Sequence, residues 1–250
     1  MPALAECYTV IAPDMRGYGD SAKPATGYDA RTLAEDFRAL VQQLDLAGEP
    51  ITLVAHDMGA PPALVYAAEY PDEVRALVYL DESVLTSKNL QQVHSFTPKG
   101  TRNGGLWWWA FGLATDMPER LVVGKEREFL TWFYHTYTHD QGASVEEAAT
   151  AEYLRSFSGP AGVRGAFGVY RDVFATVEQT EKYDGLLSKI NVPVLGLGGA
   201  LSMGDKVKQM LEGVARHVWG GAVPDCGHFI PDEQPKLLLD QIDAFLADVA

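Results

Sequence analysis

The chain has 250 residues, 47% of them hydrophobic, enough for one sizeable core or for one core carrying an insertion. Its formal net charge of −14 argues against nucleic acid or an anionic membrane as partner and favours a small neutral molecule. The two cysteines, Cys7 and Cys226, lack metal-ligand spacing and are too few for a disulfide framework, which fits reduced thiols in a cytoplasmic protein. Residues 1–6 have neither the basic start nor the apolar run of a signal peptide, and no stretch reaches the ~18 apolar residues of a membrane span.

In chain order, YTVIAP at 8–13 reads as a buried strand ending in a loop, DMRGYGDS at 14–21. Leu33, Phe37, Leu40, Val41 and Leu44 then recur at helical spacing. ITLVAH at 51–56 is a strand, followed by a helix that Pro71 stops. Residues 75–80 form another buried strand, ending at Asp81. From 82 to 187 the periodicities are helical and no strand stands out. This stretch holds Trp107, Trp108 and Trp109, and a helix with Trp132, Phe133, Tyr134 and Tyr137. Strand character returns at 192–197, a helix follows near 206–216, and a short strand near 217–223. The last helix carries Leu237, Leu238, Ile242, Phe245 and Leu246. The alternation predicts an α/β fold with a mostly parallel sheet and helices on both faces. The core takes 1–81 and 188–250. Residues 82–187 are expected to form a helical lid over the C-terminal strand ends, where open α/β sheets place ligands.

The chemistry centres on Ala55-His56-Asp57-Met58-Gly59, the small-x-nucleophile-x-Gly form of a sharp strand-to-helix turn. A carboxylate at that point attacks carbon and leaves an ester, which water must hydrolyse. The base for that water is His228, in the loop after the last strand. His56, His94, His135, His139 and His217 lack that placement. No His, Asp or Glu group has zinc spacing. Gly196-Leu197-Gly198-Gly199 imitates a dinucleotide loop, but Leu201 stands at its third glycine position, so no cofactor is expected.

The Asp57 turn, the DMRGYGDS run and the His228 loop together resemble α/β-hydrolases of the epoxide hydrolase and haloalkane dehalogenase group, over nearly the whole chain. The resemblance implies the order nucleophile, acid, His. Its common acid position falls on Ser202, which carries no charge. The position used by some members, after the strand that follows the nucleophile helix, holds Asp81; Asp205 and Glu82 are the alternatives. GVYR at 168–171 is similar to the family's lid Tyr-Arg segment, making Tyr170 the donor to a leaving alkoxide. The Met58 N–H would serve the oxyanion. Trp107, Trp108 and Trp109 stand where relatives carry His, and are read as packing and lining an apolar substrate pocket. The implied reaction is hydrolysis of a small apolar epoxide to a diol, with water as the other reactant; a homo-oligomer is compatible with it.

Two other readings stay open. One is a haloalkane dehalogenase-type hydrolase, although Met58 stands where haloacetate enzymes carry Arg and haloalkane enzymes often carry Trp. The other is a catalytically impaired scaffold. The family's fold places a strand ending in His-Gly-x-Pro before the first strand here, and no such motif occurs in this sequence. That absence predicts exposed sheet edges, poor stability and weak activity. A missed upstream start and a natural short form are the two explanations.

Overall fold

A computed structural model describes residues 1–93, 105–185 and 190–249. Four parallel strands form one sheet in sequential order: β1 (Ile51–His56), β2 (Val74–Leu80), β3 (Val194–Gly199) and β4 (Val218–Val223). Parallel neighbours need crossovers, and helices supply them. The helix α1 (Ala30–Gln43) precedes the sheet, capped by Asp29, whose side chain accepts the Thr32 N–H. The helix α2 (Ala60–Glu69) joins β1 to β2 and places Pro61 and Pro62 in its first turn, where no intrahelical N–H partner is needed.

Alternate residues of β2 divide the core. Leu77 and Tyr79 face α1 and α2, in a layer that also holds Leu64 and Leu211. Ala76, Val78 and Leu80 face the opposite way, with Leu195, Ile242 and Phe245. Burial on both faces explains why β2 is an almost unbroken apolar run. The helices α9 (Lys206–Val214) and α10 (Pro235–Asp248) complete the two layers.

Between β2 and β3 the described residues contain helices and no strand. They include α3 (Trp107–Leu113), α4 (Glu126–Tyr137), α5 (Glu147–Phe157), α6 (Gly159–Ala166), α7 (Gly168–Arg171) and α8 (Val173–Glu181). This helical layer is tied to the core by Arg155, whose guanidinium meets both carboxylate oxygens of Asp20 at 2.8 and 2.9 Å.

One expected strand is not formed. Residues 8–13 pair with no strand among the described residues, and Tyr8 and Ile11 are 50% and 43% exposed. Their β-prone composition is insufficient without a ladder to satisfy the backbone. β1 is consequently an outer strand, with Val54 at 48% exposure.

Candidate active site

Three strand ends converge. β1 delivers Asp57 with φ of 49°, a left-handed conformation that costs a non-glycine residue energy and persists because the adjoining strand and helix impose it. Its Oδ1 accepts the Met58 N–H at 2.5 Å, and its Oδ2 meets His228 Nε2 at 2.6 Å. β2 delivers Asp81, also left-handed at φ 44°. Its Oδ2 is 2.7 Å from His228 Nδ1 and accepts the Ser202 hydroxyl at 2.6 Å; its Oδ1 accepts the N–H groups of Gly199 (2.8 Å) and Met203 (3.3 Å).

β3 ends at Gly199, where the chain passes against the His228 loop. A Cβ there would lie 1.7 Å from the Gly227 carbonyl oxygen, so the close approach requires glycine. The loop itself is fastened to the helical layer: the His228 N–H donates to the Tyr137 carbonyl at 2.7 Å. Glu233 accepts from the N–H groups of Gly227 and Phe229, both at 2.9 Å.

The electrostatics follow from this geometry. Burial disfavours charge on Asp57, but His228 overrides it and holds the carboxyl down to about 2. Burial likewise opposes charge on His228, and the two flanking carboxylates raise it well above the ordinary histidine range. In the free protein His228 is therefore an imidazolium between two carboxylates. His56 is driven by burial down to about 4, so it is neutral; its Nε2–H donates to the His228 carbonyl at 2.8 Å.

These groups lie at the floor of a cavity of about 730 Å³. Trp108, Trp109, Phe133 and Tyr170 contribute to its wall. Burial, then the charge of Asp57, raises the Tyr170 phenol well above its usual range. Tyr170 is thus a neutral donor in a largely apolar setting. Trp107 is not part of this wall. Successive helical residues turn by about 100°, so three in a row cannot share one direction. Trp107 lines a separate outer groove with Leu121, Lys125 and Trp132.

An α/β-hydrolase fold family model matches residues 1–235. The chain belongs to the α/β-hydrolase family. It is 35% identical over 256 residues to the soluble epoxide hydrolase of Corynebacterium sp. (strain C12), covering 99% of this chain and 84% of that protein. It is 27% identical to a fluoroacetate dehalogenase of Burkholderia sp., covering 99% and 81%. The crystal structure of wild-type Cfl2 from Burkholderia cenocepacia superposes with a TM-score of 0.88 at 35% identity, covering 98% of this chain and 81% of that one. The protein is a hydrolase enzyme of the epoxide hydrolase type.

Asp57, Asp81, His228, the Met58 N–H and Tyr170 all meet at this α/β-hydrolase cavity. Asp205 does not: its carboxylate accepts the Ala222 N–H at 2.9 Å. His94 lies outside the described residues. Two contributors are not assigned from the sequence. Ser202 lacks charge, yet its hydroxyl holds Asp81. His56 props the His228 loop. Glu82, an alternative for the acid, lines the cavity with Asp57. The signal for Ser202 is its position, the one at which the resemblance would place the acid.

Proposed function

We propose that the enzyme opens epoxides to diols through an ester on Asp57. The observation that carries this reading is the single line of contacts Met58–Asp57–His228–Asp81 beneath a neutral tyrosine in one apolar cavity. The Asp57 carboxylate attacks an epoxide carbon, the carbon–oxygen bond breaks, and Tyr170 donates to the departing oxygen. Ester formation removes the charge of Asp57, so His228 loses one of its two anionic partners and releases its proton more readily, which restores the one Tyr170 gave up. Neutral His228, oriented through Nδ1 by Asp81, then takes a proton from water, which attacks the ester carbonyl. The Met58 N–H stabilises the oxyanion of that step. An epoxide hydrolase relative at 35% identity supports the reaction class.

The dehalogenase alternative gains less support. The Met58 side chain is packed in a buried cluster with Leu85 and Val169 and offers no charge to a haloacid. Arg155, the one Arg or Lys among the described cavity-lining residues, is already held by Asp20 and Glu152.

The test is to trap the ester. A His228→Gln enzyme is incubated with styrene oxide, digested, and the peptide containing Asp57 weighed. An adduct of the epoxide's mass on Asp57 is expected; an unmodified Asp57, or an adduct elsewhere, defeats the reading.

A further inference from the structure

The Asp81 side chain is 0% exposed, so donors of the protein rather than solvent carry its charge. Oδ1 takes the Gly199 and Met203 N–H groups. Oδ2 is divided between His228 Nδ1 at 2.7 Å and the Ser202 hydroxyl at 2.6 Å. The serine therefore competes with the imidazole for one oxygen. Its place is built by the backbone. The Ser202 and Gly204 N–H groups both donate to the Gly199 carbonyl, at 2.8 and 2.9 Å, and the Leu201 N–H donates to the Cys226 carbonyl at 3.0 Å. These bonds fix the turn after β3 against the His228 loop, and with it the direction of the hydroxyl. Several titratable groups surround His228. Asp57 faces Nε2 and Asp81 faces Nδ1. The neutral His56 ring lies 4.6 Å from its ring. Glu82 and Tyr170 line the same cavity, each raised by burial and then by the charge of Asp57, and Cys226 is pushed up to about 12. Glu233 spends its carboxylate on N–H groups of the loop. Once Asp57 is esterified, Asp81 is the carboxylate left in contact with the imidazolium.

We propose that Ser202 is a positioning residue for ester hydrolysis: by holding Asp81 Oδ2 it loosens that carboxylate's grip on the His228 proton, so that His228 can become the neutral base. The proposal rests on the ester reading above. A donor on a carboxylate oxygen draws charge toward itself and leaves less for a second donor on the same oxygen. While Asp57 is charged, two carboxylates hold the His228 proton and the softening changes little. After esterification the balance turns on the Asp81–His228 contact, and the serine moves it toward neutral imidazole. A carboxylate at 202 would do the opposite, adding a second anion beside the ring. The protons balance. Tyr170 gives its proton to the opened epoxide oxygen and recovers one from His228. Water then gives a proton to neutral His228 and hydroxide to the ester carbonyl. The carbon–oxygen bond to the diol breaks, the diol oxygen takes the hydroxyl proton of the new acid, and Asp57 returns as a carboxylate beside an imidazolium. Ser202 keeps its own proton throughout and acts through Asp81.

The experiment compares Ser202→Thr, which keeps the hydroxyl, with Ser202→Val, which has the shape of threonine without the donor. Ser202 is exposed, so water would replace a deleted hydroxyl, and the valine methyl occupies that space. Each enzyme is mixed rapidly with styrene oxide, quenched at intervals, and the Asp57 peptide weighed, across a range of pH. Ester breakdown should quicken with pH as His228 becomes neutral. In Ser202→Val that rise should move up by about one pH unit, a roughly tenfold slower breakdown below it, with the plateau above it kept. The Ser202→Thr curve should overlay that of wild type. The rate of ester formation shows in each variant that the cavity is intact; where valine disturbs it, Ser202→Cys, a weak donor of serine's shape, replaces it and should shift the rise the same way by less. A rise at the wild-type pH without the hydroxyl overturns the proposal, because a merely structural role lowers the plateau without moving the rise. Equal shifts in the Thr and Val enzymes overturn it too. No ester on Asp57 in a His228→Gln enzyme overturns the ester reading and this proposal with it; an ester that forms but breaks down with an unmoved pH profile overturns the role of Ser202 alone.

Discussion

Replacing Asp81 with Asn tests the orienting role most directly. Asp81 Oδ1 accepts two backbone N–H groups, from Gly199 and Met203, so an Asn must keep its carbonyl on that side. Its NH₂ then occupies the place of Oδ2, facing the Ser202 hydroxyl and His228 Nδ1. The serine hydroxyl can rotate to accept. The imidazole can avoid a clash of donors only by presenting a bare Nδ1, which moves its proton to Nε2, the nitrogen that should take a proton from water. The wrong tautomer and the lost counter-charge together should slow ester hydrolysis by about 10⁴-fold. Ring opening depends less on His228 as a base and should be less affected, so the ester on Asp57 should accumulate without any His228 substitution. Exchanging the buried carboxylate's charge-assisted hydrogen bonds for neutral ones should cost stability on the order of 1–3 kcal/mol. The assay is rapid mixing with styrene oxide, quenching, and weighing the Asp57 peptide against time, alongside urea denaturation. Steady-state hydrolysis within a few fold of wild type, with no accumulated ester, would refute the reasoning.

Other outcomes follow from the same geometry. Tyr170→Phe should slow adduct formation on Asp57 by about 10²–10³-fold while leaving hydrolysis of any ester formed largely intact, measured by quenched single turnover. Gly199→Ala should destabilise the protein by at least about 1–3 kcal/mol and lower turnover, because the new methyl would meet the Gly227 carbonyl, with a 1.7 Å separation in the present backbone; the urea midpoint and activity report it. Stability should depend on pH in two windows. Asp57 is depressed to about 2 against an ordinary 3.8, so its contribution is present above 3.8 and lost as pH falls through about 2; melting curves of Asp57→Asn should be flatter there. His228 is raised above 6.5, so its contribution is complete below 6.5 and is lost only as pH rises through its folded value; a His228→Gln enzyme should lack that alkaline decline.

The parts of the site legible in the sequence are those set by local backbone form. Asp57 sits in a turn written by Ala55 and Gly59, Asp81 ends a run of apolar β residues, and His228 follows the last strand. Each lies at a strand end, and a parallel sheet brings such ends together. Ser202 is harder to assign because its contact with Asp81 depends on which way a loop side chain points after the strand ends, and no periodicity encodes that. Residues 8–13 show the converse: their composition suits a strand, but pairing is a property of the neighbour as much as of the segment. The three tryptophans read as one feature, and helical geometry separated Trp107 from the other two.

The Tyr137 carbonyl, at the end of α4, holds the His228 N–H, and Glu233 accepts the His139 N–H at 2.5 Å as well as that of Gly227. The helical layer is for this reason not an interchangeable module. Grafting the equivalent layer from another α/β-hydrolase would exchange pocket walls but leave the His228 loop without its anchor. A productive chimera would have to carry residues 137–139 together with 226–233. Variation in substrate range is correspondingly easier to reach by changing Trp108, Trp109 or Phe133 in place than by transplanting whole helices.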